Sequence, residues 1–424
     1  MRTLLATTRD RFLLALQYQD YRNLWIATTF SASAAWALII ARGLLAFELT
    51  DGLLWSGIVT FAAMVPRLFA TPISGFLADR FDRQKLLRWI FALNMGNNIL
   101  LALLVMTGLV GPWVLTLLAL VNGTLRASQM TTATALIPNL VPKEHLMNAI
   151  ALNQATQQGA RLAGAMAIAP LLGLVNIESA FWLCSGLYFL GFLQVSRMTT
   201  RSTGVIDESQ GFWANMFEGF VYVYKRPIIM SMVLLVLAHC AFTMSYESML
   251  PAISEDKMGT GRVGVSYLIA GVGAGALFAS VFLAGVRSES TRGKLFLFFA
   301  FSSALGPMLL AWSDNTGLSV AATVIMGANQ AGFMTISHTI IQSLTEDHVR
   351  GRVAGVYSVH VGGSMAVTNM ANAAFADVFS ASAVLVVGGL IFVAAVFVSL
   401  GVNPLRRLYF PRPEPAAAVG TPAD

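Results

Sequence analysis

Four arginines lie inside long apolar stretches of this sequence, where a charged side chain is costly and is usually kept for a function. They are Arg42, Arg67, Arg126 and Arg161. The last three fall near the middle of their stretches, because each helical residue adds ~1.5 Å. The nearest acids in this part of the chain, Glu48 and Asp51, lie at the edge of a stretch. Positive charges without a carboxylate at their depth attract an anion, and guanidinium groups pair well with carboxylate and phosphate.

Polar amides accompany these arginines. Gln129 and Gln157 share their stretches, and Asn329 and Gln330 lie together in a later one. We expect the four arginines and these four amides to bind a substrate, with Arg126 and Arg161 at the centre. A second interpretation stays open, in which each arginine bonds to backbone carbonyls or to a glutamine and braces neighbouring helices.

One carboxylate in the later apolar stretches could carry a proton. Glu247 lies near the end of its stretch, and His239 lies two helical turns deeper. A group that gains and loses a proton at this depth could couple proton movement to another process. Glu247 and His239 are therefore candidates for proton coupling. Packing of His239 as a structural residue and pairing of Glu247 with Arg42 are the alternatives. Trp36 and Tyr246 receive no role from sequence alone.

The composition requires a membrane environment for these residues. The 424 residues are 56% hydrophobic and 11% charged, whereas soluble domains carry about 25% charged residues. The apolar runs are 20 to 28 residues long, and roughly 20 such residues cross a bilayer core of ~30 Å. The sequence predicts an all-α membrane protein with twelve transmembrane helices, at 23–49, 53–78, 86–107, 112–138, 146–172, 176–196, 227–250, 262–286, 293–312, 316–343, 352–376 and 380–403.

The basic residues predict the orientation. Of 27 Lys and Arg, 21 fall on one side of these helices, two on the other and four within them. Positive residues concentrate on the cytoplasmic side of membrane proteins. We therefore expect both termini in the cytoplasm, and a multi-pass protein of the inner (cytoplasmic) membrane. The net charge of +6 follows from this topology, so no nucleic-acid partner is predicted.

The polar segments divide the chain into five parts. These are a cytoplasmic N-terminal segment (1–22), an N-terminal six-helix bundle (23–196), a cytoplasmic linker (197–226), a C-terminal six-helix bundle (227–403) and a cytoplasmic tail (404–424). Aromatic residues in the second part of the linker predict an amphipathic helix at the membrane surface. Cys184 and Cys240 both fall in predicted helices, so we expect no disulfide, no metal site and no cofactor.

A charged motif follows the second predicted helix: Gly75-Phe76-Leu77-Ala78-Asp79-Arg80-Phe81-Asp82-Arg83-Gln84-Lys85. It resembles the cytoplasmic signature of the major facilitator superfamily. The resemblance implies twelve helices in two six-helix halves. It also implies a gating role for Gly75, Asp79, Arg80, Asp82 and Arg83, in which Asp79 docks near Gly351 and holds the cytoplasmic side closed. The alternative is that these charges only set the topology.

Other segments resemble the branch of that superfamily with enterobactin exporters and macrolide efflux proteins. They are residues 47–50, 136–142 and 350–353. The superfamily architecture implies that the first, second, fourth and fifth helices line a central cavity, and all four arginines fall on those helices. A run of small residues around Gly164 resembles an antiporter motif, although Ala165 stands where that motif has proline. Close helix packing is the alternative explanation of the run.

These observations favour a secondary active transporter that works by alternating access. We expect proton-coupled export of an amphipathic anionic small molecule, such as a siderophore or a drug. An importer or exchanger of organic anions, or a lysophospholipid flippase, is the alternative on the same fold. We expect no enzyme, because no cluster of His, Asp or Glu has catalytic or metal-ligand spacing and no Gly-rich phosphate loop occurs. The expected partners are the substrate and the lipid bilayer, and we expect a monomer.

Overall fold

The computed structural model describes residues 13–200, 202, 212–283, 289–346 and 349–410. Residues 1–12 of the N-terminal segment, 201 and 203–211 of the linker, and 411–424 of the tail lie outside it. Within the described ranges the secondary structure is helical. The α-helices are α1 (Gln19–Thr50), α2 (Leu53–Met64), α3 (Arg67–Arg80), α4 (Arg83–Met106), α5 (Pro112–Leu136), α6 (Lys143–Leu174), α7 (Ile177–Ser196), α8 (Phe212–Lys225), α9 (Pro227–His239), α10 (Leu250–Ile253), α11 (Gly261–Leu283), α12 (Glu289–Trp312), α13 (Thr316–Ser343), α14 (Arg350–Phe379), α15 (Ala381–Gly401) and α16 (Asn403–Tyr409).

Eight helical segments of the described chain are long and apolar enough to cross a membrane. They are Gln19–Thr50, Leu53–Thr71, Arg83–Met106, Ile177–Ser196, Pro227–Met258, Gly261–Leu283, Thr291–Trp312 and Ala381–Gly401. The other long helices, α5, α6, α13 and α14, carry more polar side chains, and they include Arg126, Arg161 and Gln330 of the predicted site. Eight spans are therefore supported by length and composition, and the total of twelve stays a prediction.

Two of the predicted spans contain a break. Pro66 separates α2 from α3, because proline has no backbone N–H to continue the helical hydrogen bonds. The second break follows α9, where a π-helical turn (Cys240–Met244) ends at Ser245. Tyr246 is not helical either, and a 3₁₀ turn (Glu247–Met249) then leads into α10. Glu247 thus lies directly after an interruption, and not within a continuous helix.

The helices pack mainly with neighbours from their own part of the chain. In the N-terminal part, α1 packs on α6 and α7, α4 packs on α5 and α7, and α5 packs on α2. In the C-terminal part, α11 packs on α13, α12 packs on α13 and α15, and α14 packs on α15. The most extensive packing between the parts involves two pairs, α2 with α14 and α6 with α11. The N-terminal and C-terminal helices therefore meet along two seams.

Glycines allow the closest of these contacts. A Cβ atom added to Gly164 of α6 would lie 2.2 Å from the carbonyl oxygen of Ser33 on α1. One added to Gly273 of α11 would lie 2.7 Å from the backbone nitrogen of Leu162 on α6. Because real Cβ atoms do not approach so closely, both crossings require glycine. The small-residue run of α6 thus has a packing function at Gly164.

The linker is attached to both parts of the molecule. Asp20 at the start of α1 accepts hydrogen bonds from the backbone N–H groups of Thr199 and Thr200, at 3.0 and 2.8 Å. The amphipathic helix predicted in the linker is present as α8, which packs on α14 and α9. Glu218 of α8 forms an ion pair with Arg352 of α14 at 2.6 Å, while the neighbouring Phe217 is exposed.

Candidate substrate cavity

A cavity of about 290 Å³ opens between α1, α5 and α6. It lies toward the C-terminal end of α5 and the N-terminal end of α6, the end of the molecule predicted to face the cytoplasm. Amide, hydroxyl and apolar side chains line it together. They belong to Thr28, Ser31, Ala32, Arg126, Gln129, Met130, Ala133, Thr134, Ile137, Pro138, Ile150, Asn153, Gln154 and Gln157. Such a mixed lining suits a molecule that has both polar and apolar parts.

Arg126 lies at the inner end of this cavity and also borders a second, smaller one. Arg42 and Arg67 border that smaller cavity too, so three of the four predicted arginines converge there. No residue in the described ranges accepts a hydrogen bond from the guanidinium group of Arg126 or Arg67. The Cζ atom of Arg126 lies 5.8 Å from the centre of the Trp36 ring. These two guanidinium groups therefore keep their hydrogen-bond donors available.

Arg161 is held by other side chains. Its Nη2 donates a hydrogen bond to the hydroxyl oxygen of Tyr246 at 2.9 Å, and its Cζ lies 4.3 Å from the centre of the Trp36 ring. The Tyr246 hydroxyl donates in turn to Oε1 of Gln330 at 3.3 Å, and Nε2 of Gln330 donates to the carbonyl of Thr243 at 3.0 Å. Arg161 thus joins α6 to the C-terminal part through a tyrosine hydroxyl, and not through the backbone carbonyls or glutamines that the bracing interpretation named.

Glu247 places a carboxylate opposite these arginines. Its side chain is buried, and Oε2 accepts a hydrogen bond from Nδ2 of Asn369 on α14 at 3.0 Å. It interacts electrostatically with Arg161 and Arg67. The arginines of the N-terminal helices therefore face an acid that the C-terminal helices supply, which their own half does not provide at that depth.

Arg42 has different neighbours. Its Nε donates to the carbonyl of Leu38 at 3.2 Å, and the neutral side chains of Tyr188 and Cys184 on α7 lie near its guanidinium group. This position puts one of its donors on its own helix and leaves the rest of the guanidinium beside the smaller cavity. A pair between Arg42 and Glu247 is not present among the described contacts.

His239 is enclosed in an aromatic cluster of the C-terminal helices. Its ring stacks on Phe333 with the ring centres 4.1 Å apart, and it meets the edge of Phe392 at 5.1 Å. Both ring nitrogens are buried without a hydrogen-bond partner in the part of the chain that is described. In this conformation His239 is packed among aromatic rings, and no described hydrogen bond or ring contact joins it to the four arginines.

The four predicted amides divide between the cavity and the helix contacts. Gln129 and Gln157 line the larger cavity; Gln129 donates to Oγ of Ser31, and its Oε1 is buried without a described partner. Asn329 instead donates to the carbonyl of Ser302 and accepts from its hydroxyl, both at 2.9 Å. Asn329 thus joins α13 to α12, and Gln330 supports Tyr246.

The charged motif organises the loop between α3 and α4. Asp82 caps α4, because its Oδ1 accepts from the backbone N–H of Lys85 at 2.9 Å. Arg83 donates from Nη1 to the carbonyl of Ala135 at 2.8 Å and to Oδ1 of Asn139 at 3.1 Å. Its backbone N–H donates to Ser202 of the linker at 2.9 Å. Arg80 is exposed. The side chain of Asp79 and the surroundings of Gly351 lie outside what the structure describes.

Three residues that contact the arginines or join the two parts of the chain were not predicted from the sequence: Trp36, Tyr246 and Asp377. Trp36 contacts Arg126 and Arg161, and Tyr246 binds Arg161. Aromatic residues are frequent in this chain, so their presence gave no signal. Asp377 accepts hydrogen bonds from Leu53 and Leu54 across the seam between α2 and α14. Its position near the end of an apolar run could have marked it as a contact of the loop end.

Comparison with known protein families covers almost the whole chain. The family described as transmembrane secretion effector matches residues 13–408. The multidrug efflux pump Tap of Mycobacterium tuberculosis is 24% identical over 347 residues, which cover 78% of this chain and 80% of that protein. An uncharacterized MFS-type transporter of Bacillus subtilis, YfiS, is 22% identical over 214 residues, covering 49% of this chain and 50% of that protein.

Solved structures resemble this one at low sequence identity. The nucleoside transporter NupG gives a TM-score of 0.71 at 12% identity and covers 93% of this chain and all of that one. A POT family transporter gives a TM-score of 0.70 at 10% identity, covering 90% of this chain and 96% of that one. At such identities the likeness establishes the fold alone.

Proposed function

Because this chain belongs to the transmembrane secretion effector family of the major facilitator superfamily, we propose that it is a secondary active exporter of an amphipathic anionic small molecule. It is a membrane transporter and not an enzyme. The observation that carries the proposal is the guanidinium group of Arg126, which borders the cavity of about 290 Å³ and has no described hydrogen-bond acceptor. Arg67, also without a described acceptor, lies beside it across the smaller cavity. A carboxylate, catecholate or phosphate would accept charge-assisted hydrogen bonds from these guanidinium groups.

The proposed architecture has twelve spans, with the four polar long helices added to the eight apolar segments. Residues 23–196 and 227–403 form two six-helix bundles, joined by the linker 197–226. Polar residues lower the hydropathy of helices that face a polar interior, which accounts for α5, α6, α13 and α14. Both termini lie in the cytoplasm, and the protein works as a monomer in the cell membrane.

The larger cavity favours an amphipathic substrate. Arg126 provides charge at its inner end, and Gln129 and Gln157 provide hydrogen bonds along its wall. Met130 and Ile150 provide apolar surface toward the predicted cytoplasmic opening. An anionic group of the substrate would therefore enter first, and a less polar body would remain near the opening. The similarity to a multidrug efflux pump supports a transporter that accepts substrates with different apolar parts.

Glu247 gives the proposed route of proton coupling. As a carboxylate it balances part of the charge on Arg67 and Arg161. Uptake or release of a proton by Glu247 changes the net charge that Arg67 and Arg161 present to a substrate anion. Proton movement and anion release would then be linked through shared arginines. His239 is the second candidate, and its enclosure by Phe333 and Phe392 makes it the less favoured one.

Binding by the purified protein tests the substrate class. Matched anionic, neutral and cationic compounds would be compared by thermal shift, since a ligand at about one hundred times its Kd stabilises the folded state by roughly 2.7 kcal/mol. We expect stabilisation by anions, and we expect Arg126→Gln and Arg67→Gln to abolish it. Arg407→Gln, which changes an exposed arginine on α16, is the matched control. Stabilisation by cations or neutral compounds alone would contradict the anionic cavity and favour bracing by the arginines.

Reconstitution into liposomes tests the direction. An exporter moves the stabilising compound out as protons move in, so the flux should reverse when the pH gradient is reversed. Flux that requires an anion on the opposite side and ignores the pH gradient would instead identify an exchanger. Transfer of a fluorescent lysophospholipid between leaflets would identify a flippase.

A further inference from the structure

An aspartate from one end of the chain caps a helix at the other end. Asp377, near the C-terminal end of α14, accepts hydrogen bonds from the backbone N–H groups of Leu53 and Leu54 at 2.7 and 2.8 Å. These N–H groups begin α2, where a helix has no internal acceptors for its first donors and carries partial positive charge. The contact crosses the seam between the N-terminal and C-terminal helices.

The same seam has a regular antiparallel register. Four residues after Leu53, Gly57 meets Ala373, which lies four residues before Asp377; a Cβ atom on Gly57 would be 2.7 Å from that of Ala373. Farther along, Gly363 meets Leu68: a Cβ atom on Gly363 would be 3.3 Å from the Cδ2 methyl of Leu68. A residue of α2 or α3 at a given number of positions after Leu53 therefore lies opposite the residue of α14 that is the same number of positions before Asp377, to within one residue.

Extending this register reaches the charged motif. Asp79 lies 26 residues after Leu53, and Gly351 lies 26 residues before Asp377. Asp79 therefore has the same relation to the first residues of α14 as Asp377 has to the first residues of α2. We call α2 with α3 one arm of the seam and α14 the other. By residue number, the aspartate near the C-terminal end of each arm corresponds to the first residues of the other arm. Asp377 is not part of the motif from which the contact of Asp79 was predicted.

The two arms touch at one end and separate at the other. Contact is tight at Gly57 and still present at Gly363, but Cβ atoms added to Gly75 and Gly355, which the register places opposite each other, would have open space within 4 Å. A second link closes the tight end, where Arg262 of α11 pairs with Glu48 of α1 at 2.6 and 2.8 Å. In this conformation the two arms are in contact at the end predicted to be external, and they are farther apart at the end predicted to be cytoplasmic.

We propose that Asp377 is the external latch of the transport cycle and that Asp377 and Asp79 cap the two arms of this seam in alternation. Asp377 holds α2 while the molecule is closed at the predicted external end. When the arms close at the other end, Gly75 and Gly355 come together, Asp79 caps α14, and Asp377 releases α2. Each conformation is therefore stabilised by one cap, and the balance between the two caps sets the ratio of the two conformations. The inference does not depend on the charge of the substrate.

Distances between spin labels on the full-length protein without substrate test this directly, with Cys184 and Cys240 replaced by alanine. Labels at Thr107→Cys and Asp314→Cys report the predicted external end. Labels at Lys143→Cys and Arg407→Cys report the other end. All four positions are exposed, so labelling should not disturb the packing.

We expect Asp377→Asn to lengthen the first distance and shorten the second. Asparagine has one acceptor oxygen where aspartate has two, so the variant loses one of the two hydrogen bonds to α2 and the negative charge at its N-terminus. The ratio of conformations should change by roughly two- to thirty-fold, the range for the loss of a cap interaction. Asp79→Asn should shift the ratio in the opposite direction. Asp51→Asn removes the same charge from an exposed residue at the same end and should leave both distances unchanged.

A second variant keeps the test valid if Asp377→Asn does not fold. Leu53→Pro removes one donor of the cap and leaves the charge of Asp377 in place. Proline is tolerated at the first position of a helix, and the preceding Gly52 already has the extended conformation that proline requires (φ −143°, ψ 148°). We expect it to shift the distances in the same direction as Asp377→Asn. Unchanged distances in Leu53→Pro and in folded Asp377→Asn would overturn the external latch, and a shift in the same direction by Asp79→Asn would overturn the alternation.

Discussion

Arg161 on α6 and Tyr246, in the break after α9, are joined by a hydrogen bond of 2.9 Å from the arginine Nη2 to the tyrosine hydroxyl. Both side chains are buried, so the bond connects the N-terminal and C-terminal helices deep inside the molecule. A transporter that alternates its access must break or move such a contact, because its two halves change their relative positions. The bond is therefore expected to stabilise one conformation more than the other.

Removing the hydroxyl should weaken this connection. Tyr246→Phe keeps the ring and leaves the buried Arg161 without its acceptor, which costs about 1.5–3 kcal/mol for a hydrogen bond to a charged group. We expect a lower unfolding temperature for the detergent-purified protein. Tyr267→Phe, at a tyrosine that is 37% exposed, is the control. An equal melting temperature for Tyr246→Phe and the unchanged protein would show that this bond adds no stability.

Trp36 should support both inner arginines. Its ring lies 4.3 Å from the Cζ of Arg161 and 5.8 Å from that of Arg126, and a buried cation–π contact contributes roughly 0.5–2 kcal/mol. Trp36→Leu is expected to lower the affinity for the anion found by the thermal-shift screen. Trp312→Leu, at a residue that is 83% exposed, should bind normally. Unchanged affinity of the Trp36→Leu protein would show that Trp36 does not contribute to anion binding.

Glu247 should couple transport to protons without being needed for binding. Glu247→Gln has the same shape and keeps an oxygen for the hydrogen bond from Asn369, but it can no longer release a proton. We expect substrate exchange between the two sides of a liposome to persist and transport driven by a pH gradient to fall at least tenfold. Glu255→Gln, an exposed neighbour, is the control. Full pH-driven transport by Glu247→Gln would exclude this route.

The close crossing of α6 and α1 should not tolerate a methyl group. Gly164→Ala would place its Cβ 2.2 Å from the carbonyl of Ser33, and overpacking of this kind costs about 1–3 kcal/mol. Gly159→Ala lies on the same helix with no atom within 4 Å of the added Cβ, so it should be neutral or slightly stabilising. The two melting temperatures give the comparison. Equal stability of both variants would mean that the helices can separate at this crossing without loss.

Much of the fold could be predicted because its signals are local. Each apolar run specifies a helix by its length, and the charged motif at 75–85 marks a connection between helices, which the structure places at Phe81 and Asp82 between α3 and α4. The break at Ser245 and Tyr246 could not be predicted in the same way. It lies in an apolar run with no glycine or proline at that point, and it depends on contacts with α14 such as the hydrogen bond from Asn372 to the carbonyl of Ser245 at 2.7 Å.

The candidate site shows the same division. The sequence by itself determined that Arg67, Arg126, Arg161 and Glu247 lie within long apolar runs, and it predicts their depth from their positions along those runs. It left open which way each side chain points, since a helix that is apolar on all sides gives no preferred face. Only the tertiary structure decided that Arg161 binds Tyr246 while Arg126 and Arg67 face a cavity. It also decided that their acid comes from the other half of the chain, because helices distant in sequence pack side by side.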